Sequence, residues 1–310
     1  LEFDDVMNEQ RKSIYTLRRQ VLCGQYRTVP TDAERKKGIQ PKPLVTSVDE
    51  KLAAHVAPIL EQMVKVHGAV EPPPFGASAE EIVAFRDRAL ATPIDRLGEI
   101  RTPALERDLY TWFGCVLDLR KVAKDPQKLL EQVKHEVGMS LTEQQERMLE
   151  LVDEMVGELV EKHCPPQKHW EDWDVPGLAA AFEKQFVMKA GDFGKVFDAE
   201  LIAKKLFQDS ENVLARKEKE LGAENFLRLF RNFYLQEIDR QWIEHLQSME
   251  HLRDGIYLRS FGQKDPKKEF KREGYDLFRI MITNVKSSVT KALFTVERAR
   301  EEDLERLEAE

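Results

Sequence analysis

Apolar residues along this chain recur every three to four positions, and strictly alternating runs are scarce, which predicts an all-α fold. Residues 1–24 place Phe3, Val6, Met7, Ile14, Leu17 and Val21 at helical spacing, and Gly24 supplies a stop. A second long amphipathic helix is expected over 141–163, through Leu141, Met148, Leu151, Val152, Met155, Val156 and Leu159, ended by Pro165-Pro166. Residues 164–220 are shorter and mixed, with Trp170, Trp173, Leu178, Phe182, Phe186, Phe193 and Phe197 as the expected core.

The clearest pattern lies in the last ninety or so residues. One arm carries Phe226, Phe230, Phe233, Ile238, Trp242, Leu246, Met249, Leu252 and Ile256 at steps of three to five. Gly255, Gly262 and Asp265-Pro266 then signal a turn. A second arm follows through Phe270, Leu277, Met281, Val285, Val289, Leu293 and Val296. Two long apolar stripes around one short polar turn predict an antiparallel helical hairpin. The first arm, about 32 residues, would be roughly 48 Å long.

Between these segments, residues 25–140 hold ten of the fourteen prolines and read as short helices joined by stiff loops. Ser47-Val48-Asp49-Glu50 and Ser78-Ala79-Glu80-Glu81 look like capping boxes. Thr102-Pro103 and Asp125-Pro126 each place a capping residue before a first-turn proline. Leu105, Leu109, Trp112, Phe113, Val116, Leu117 and Leu119 are the expected local core. Residues 297–310 are almost all charged and read as a solvated helix end.

Composition narrows the function. The chain of 310 residues has a formal net charge of −8 and a pI near 5.6, which argues against general nucleic-acid binding. Cys23, Cys115 and Cys164 are far apart and lack metal-ligand spacing, so they read as reduced structural thiols. No apolar run approaches the ~18–20 residues that span a bilayer, and no signal peptide is visible. The chain opens inside a helical pattern without an initiating Met and reads as a piece of a longer protein.

No phosphate-binding loop, dinucleotide fingerprint, zinc-protease or nucleophile-elbow motif occurs, so no catalytic or metal-binding residue is expected. Asp4-Asp5 and Glu80-Glu81 are adjacent pairs whose side chains diverge on a helix. His245 and His251 are six apart and do not share a face, and core edge or solvent is their expected place. Contact chemistry concentrates at the hairpin turn. Residues 253–272 hold seven cations (Arg253, Arg259, Lys264, Lys267, Lys268, Lys271, Arg272) against three acids (Asp254, Asp265, Glu269), around Tyr257, Leu258 and Phe261. Phe261 either folds back on the hairpin or meets a partner, with the cations supplying attraction.

The segment Leu252 to Glu273, LRDGIYLRSFGQKDPKKEFKRE, resembles the two-helix finger of the SecA preprotein-translocase family. Ile238-Asp239-Arg240-Gln241-Trp242-Ile243-Glu244-His245-Leu246 is similar to the preceding arm. Leu1 to Arg11 resembles the opening of that family's scaffold helix, and Trp173-Asp174-Val175-Pro176-Gly177-Leu178 its wing domain. The resemblance covers roughly 1–24 and 141–296. It implies a scaffold helix over 1–24 and 141–163, a helical wing over 164–220, and a finger with further scaffold over 221–296. The intervening 25–140 would be a lineage-specific helical insertion.

The resemblance further implies that Tyr257, Arg259, Phe261, Lys264, Lys267 and Lys268 touch an unfolded preprotein and the SecYEG channel. Asp4, Asp5, Gln10, Arg11 and Trp242 would couple to motor domains. Phe261 stands where the family usually has Tyr, keeping the ring without the hydroxyl. ATP and Mg would belong to motor domains outside this chain, which itself needs no cofactor. The implied location is cytoplasmic and peripheral to the bacterial inner membrane, with an anionic membrane surface as a further contact. The rival readings are a stand-alone helical adaptor and an enzyme hidden in 25–140 around Trp112 or His135.

Overall fold

The computed structural model describes residues 2–27, 42–69, 73, 76–191, 196–256 and 265–297. These contain nine α-helices: α1 Glu2–Cys23, α2 Glu50–Gly68, α3 Ala79–Ala91, α4 Thr102–Phe113, α5 Pro126–His163, α6 Val175–Phe186, α7 Ala199–Leu221, α8 Ala223–Ile256 and α9 Pro266–Thr295. Among the described residues there is no strand, only an isolated bridge between Arg27 and Pro43. The chain divides into two compact units, one of Leu1–Val21 with Arg147–Glu310, the other of Leu22–Glu146.

In the unit of Leu22–Glu146, helix ends show what starts and stops each element. Ser78 and Glu81 form the expected capping box at α3, each accepting the other's backbone N–H at 3.2 and 2.8 Å. At α2 the cap is Asp49 rather than Ser47, because its carboxylate accepts from both Lys51 N (2.8 Å) and Leu52 N (2.9 Å). Helix α4 begins at Thr102 itself, so the cap position falls on Arg101, one residue before the expected cap. The Arg101 guanidinium instead donates to the carbonyls of Ala69 and Val66, each at 2.7 Å, satisfying acceptors left over at the end of α2.

Leu52, Val56, Leu60 and Val64 are buried along α2, and Leu105, Leu109 and Phe113 along α4. Trp112 and Val116, expected in that core, are 47% and 53% exposed. Trp112 is one residue off the buried stripe, and Gly114, at φ 70°, ends the helix before Val116. A single helix, α5, runs from Pro126 to His163, where two segments were expected.

In the other unit, α8 and α9 lie side by side in opposite directions, with Met249 against Gly274 and His245 against Phe278. The buried face of α8 carries Phe226, Phe230, Tyr234, Ile238, Gln241, His245, Met249 and Ile256. Tyr234, Gln241 and His245 thus replace Phe233, Trp242 and Leu246, the larger or more apolar residues expected there. Helix α6 meets α9 through Gln185, which donates to Ser287 O (2.8 Å) and Thr290 Oγ1 (2.7 Å), and through the edge-on pair Phe186–Phe294. On α5, Arg147 donates to Glu150 (2.8 Å) and to the Tyr234 hydroxyl (3.4 Å), while Lys286 of α9 lies 2.6 Å from Glu154. Trp170 and Phe197, expected in the core, are 39% and 52% exposed and instead cover each other, ring centres 4.1 Å apart. Phe193 lies outside the described residues.

Candidate functional site

Helix α9 starts at a strong stop-and-start signal. Asp265 Oδ1 accepts from Lys267 N at 3.0 Å, and Pro266 occupies the first turn. This cap holds Lys267, Lys268 and Lys271 at the base of α9. Facing them is α1, and the two helices line a groove of about 700 Å³. Its α1 wall is Asp5, Val6, Glu9 and Gln10; its α9 wall is Asp265, Lys267, Lys268, Lys271, Tyr275 and Phe278. One wall therefore carries two carboxylates and the other three ammonium groups beside the capping carboxylate of Asp265, with Val6, Tyr275 and Phe278 adding apolar surface. Beneath lies an apolar cluster of Met249, Ile256 and Phe270, with Val6, Met7, Leu252 and Leu277 packed against it.

A buried polar junction closes the inner end of this groove. Gln10, 7% exposed, donates from Nε2 to the carbonyl of Gly274 at 2.8 Å. Its Oε1 then faces His245 Nε2 at 2.9 Å, so the imidazole is the donor in that bond. His245 is 4% exposed, stacks on Trp242 at 5.5 Å and meets Phe278 edge-on at 5.7 Å. Burial pushes its pKa down to about 4, so it is neutral at pH 7. Gly274 packs closely on α8: a Cβ there would lie 2.8 Å from Met249 Cε, and 3.6 Å from Val6 Cγ1. Farther along α1, Arg18 makes a two-bond ion pair with Asp239 of α8, at 2.8 and 3.1 Å.

The residues singled out from sequence fall into four places. Tyr257, Arg259, Phe261 and Lys264 lie outside the described residues. Lys267 and Lys268 line the groove, with Asp5 and Gln10 opposite. Asp4 and Arg11 are exposed on α1, and Arg11 bonds to Asn8 at 3.2 Å rather than reaching the groove. Trp242 is half-buried beside His245. Sequence reasoning missed His245 and the groove itself, which joins positions some 260 residues apart. For the junction the available signal was one polar residue, Gln10, within the apolar stripe of α1.

No group of three or more His, Cys, Asp or Glu side chains among the described residues can hold a metal ion. No helix among them is long and apolar enough to cross a membrane.

Residues 1–65 and 125–297 match a family model described as the SecA wing and scaffold domain. The chain is 36% identical over 311 residues to the protein translocase subunit SecA of Sorangium cellulosum, covering 98% of this chain and 30% of that protein. It is 36% identical over 211 residues to the same subunit of an Anaeromyxobacter species, covering 65% of this chain and 22% of that one. With the subunit of Chromohalobacter salexigens it shares 31% identity over 219 residues, 67% of this chain and 24% of that protein. The chain thus spans less than a third of the length of the relatives it matches.

Proposed function

The chain belongs to the SecA wing and scaffold family, and on that premise we propose that it transmits motion from a nucleotide-driven motor to a moving preprotein. In this reading residues 1–24 and 141–163 are scaffold, 25–140 an insertion, 164–220 a wing, and 221–296 a finger with its scaffold base. ATP and Mg are held by motor domains elsewhere in the translocase, and this chain transmits without catalysing. The turn that carries Tyr257, Arg259, Phe261 and Lys264, with Lys267 and Lys268 at its base, meets the preprotein and the mouth of the SecYEG channel. In the idle motor the same finger restrains ATP hydrolysis. Asp4, Asp5, Arg11 and Trp242 face or support the motor side. The protein works in the cytoplasm at the inner membrane, where the basic turn also meets anionic lipid.

The observation that carries this reading is the attachment of α1 to the base of the α8–α9 pair. Gln10, the apolar cluster and the Arg18–Asp239 pair join them at three levels. A displacement of α1 is therefore passed to the hairpin, as transmission between two packings requires. The test is a photo-crosslinker at Phe261 in the whole translocase, with a preprotein stalled in SecYEG membranes. Adducts to preprotein or SecY are expected. Adducts at control positions but none at Phe261 would overturn the reading and leave a stand-alone adaptor.

A further inference from the structure

Along α1, Met7, Gln10, Ile14, Leu17 and Val21 recur at steps of three and four, the spacing of a coiled-coil seam. Four of the five are apolar, and an apolar seam alone is tolerant of sliding. Moving one helix past another by one turn, about 5.4 Å, exchanges one apolar neighbour for the next. Gln10 is the exception, and it is buried against His245, one of the polar residues on the buried face of α8.

We infer that Gln10 and His245 are positioning residues that lock the axial register of α1 against the α8–α9 pair. The lock is specific because each partner fixes the next. The carbonyl of Gly274 accepts from Gln10 and so sets the amide's orientation. That orientation presents Oε1 to His245 and requires the proton on its Nε2. Reversing the amide would set oxygen against oxygen and N–H against N–H. Sliding α1 by one turn in either direction would bring Val6 or Ile14 opposite His245. Both bonds of the junction would then break, and the imidazole N–H would be buried against an apolar side chain at the cost of its desolvation. A single polar position in an apolar seam selects register in this way at some expense of stability. Gly274 also lets α9 pack closely on α8, since a Cβ there would lie 2.8 Å from Met249 Cε.

The Arg18–Asp239 ion pair reports the register from the surface. Helices α1 and α8 run antiparallel, so a one-turn slip places residue 18 beside 235 or 243 instead of 239. Cysteine pairs 18/239, 18/235 and 18/243, built in the complete 310-residue chain with Cys23→Ala, measure this by short bismaleimide crosslinking. With Gln10 and His245 intact, 18/239 is expected to crosslink at least tenfold faster than the slipped pairs. In a Gln10→Leu/His245→Leu background, which keeps the seam apolar, the slipped pairs should rise to within about threefold of 18/239 while cooperative unfolding is retained. Slipped pairs that stay silent in that folded background, or that react equally in the parent, would overturn the proposal. Should the double variant not fold, Gln10→Met alone serves the same comparison, with the same outcomes deciding. The lock is a property of this chain and does not require the coupling reading. Absence of adducts at Phe261 would sink that reading and leave the register result standing.

Discussion

Gly24 and Gln144 approach so closely that a Cβ on Gly24 would lie 2.6 Å from Gln144 Nε2. The same Cβ would lie 2.6 Å from Ser140 Oγ. Neither neighbour is free to retreat. Gln144 donates to Phe113 O at 2.9 Å, and Ser140 to Gly24 O at 2.9 Å. Gly24 also sits at φ 56°, where a side chain is strained. Gly24→Ala is therefore expected to destabilise the chain by about 2–4 kcal/mol. Urea unfolding of the two proteins measures the difference, and a loss under about 0.5 kcal/mol would show that the contact relaxes easily.

Acidification should weaken the fold through His245. Its pKa falls from an ordinary 6.5 to about 4 on folding. Above pH 6.5 both folded and unfolded forms are neutral, and the group costs nothing. Between pH 6.5 and about 4 the unfolded chain takes up the proton first, so stability falls, by up to about 3 kcal/mol. His67, also lowered by burial, acts in the same direction. Glu143, raised by burial, acts oppositely above its ordinary value of 4.5, because its folded form takes up the proton first. The comparison of parent with His245→Gln isolates the one group. The variant's melting temperature should fall less between pH 7 and 5; equal slopes would place His245 outside the balance.

Charges on α5 and α9 and a hydroxyl on α8 form one cluster. Arg147 is 17% exposed and serves Glu150, Glu154 and the Tyr234 hydroxyl, while Glu154 also holds Lys286. Arg147→Met should cost about 2–3 kcal/mol, because it leaves Glu150 and Tyr234 without their shared donor. Lys286→Met should cost less, about 1 kcal/mol, since Glu154 keeps Arg147. A double-mutant cycle is expected to show coupling of at least about 0.5 kcal/mol; strict additivity would mean Glu154 does not link them.

The three lysines at the base of α9 bear on preprotein contact in the whole translocase. Lys268→Ala/Lys271→Ala should lower adduct yield at Phe261 roughly two- to fivefold at low salt. The gap should close near 0.5 M salt as attraction is screened. An unchanged yield at low salt would assign the contact to the aromatic side chains alone.

The helices were readable because burial repeats with the helical period over long stretches, as in α1, α8 and α9. Choosing the buried face from residue size was less successful. Phe233, Trp242 and Leu246 looked more suitable for the core than Tyr234, Gln241 and His245, yet the helix face is set by what lies opposite. Gln10 gives His245 a hydrogen-bond partner, and Arg147 gives one to Tyr234. Those partners are 235 and 87 residues away in sequence, beyond any local pattern. Asp49 displaced Ser47 as a cap for a local reason that could have been read: a carboxylate three residues before the first apolar position, Leu52, reaches two amides at once. Half of the groove was readable as a basic cluster. Its acidic wall on α1 was not, because nothing local ties residue 5 to residue 268.

The native thiols have a practical bearing. Cys115 and Cys164 are buried, and desolvation raises both pKa values, Cys115 to about 12. At pH 7.5 fewer than about one Cys115 in ten thousand is a thiolate, and the thiolate is the reactive form. Half-buried Cys23 is the native thiol open to reagents. With that residue replaced, the chain becomes a nearly silent background for sulfhydryl chemistry, in which a probe placed at will reports its own surroundings.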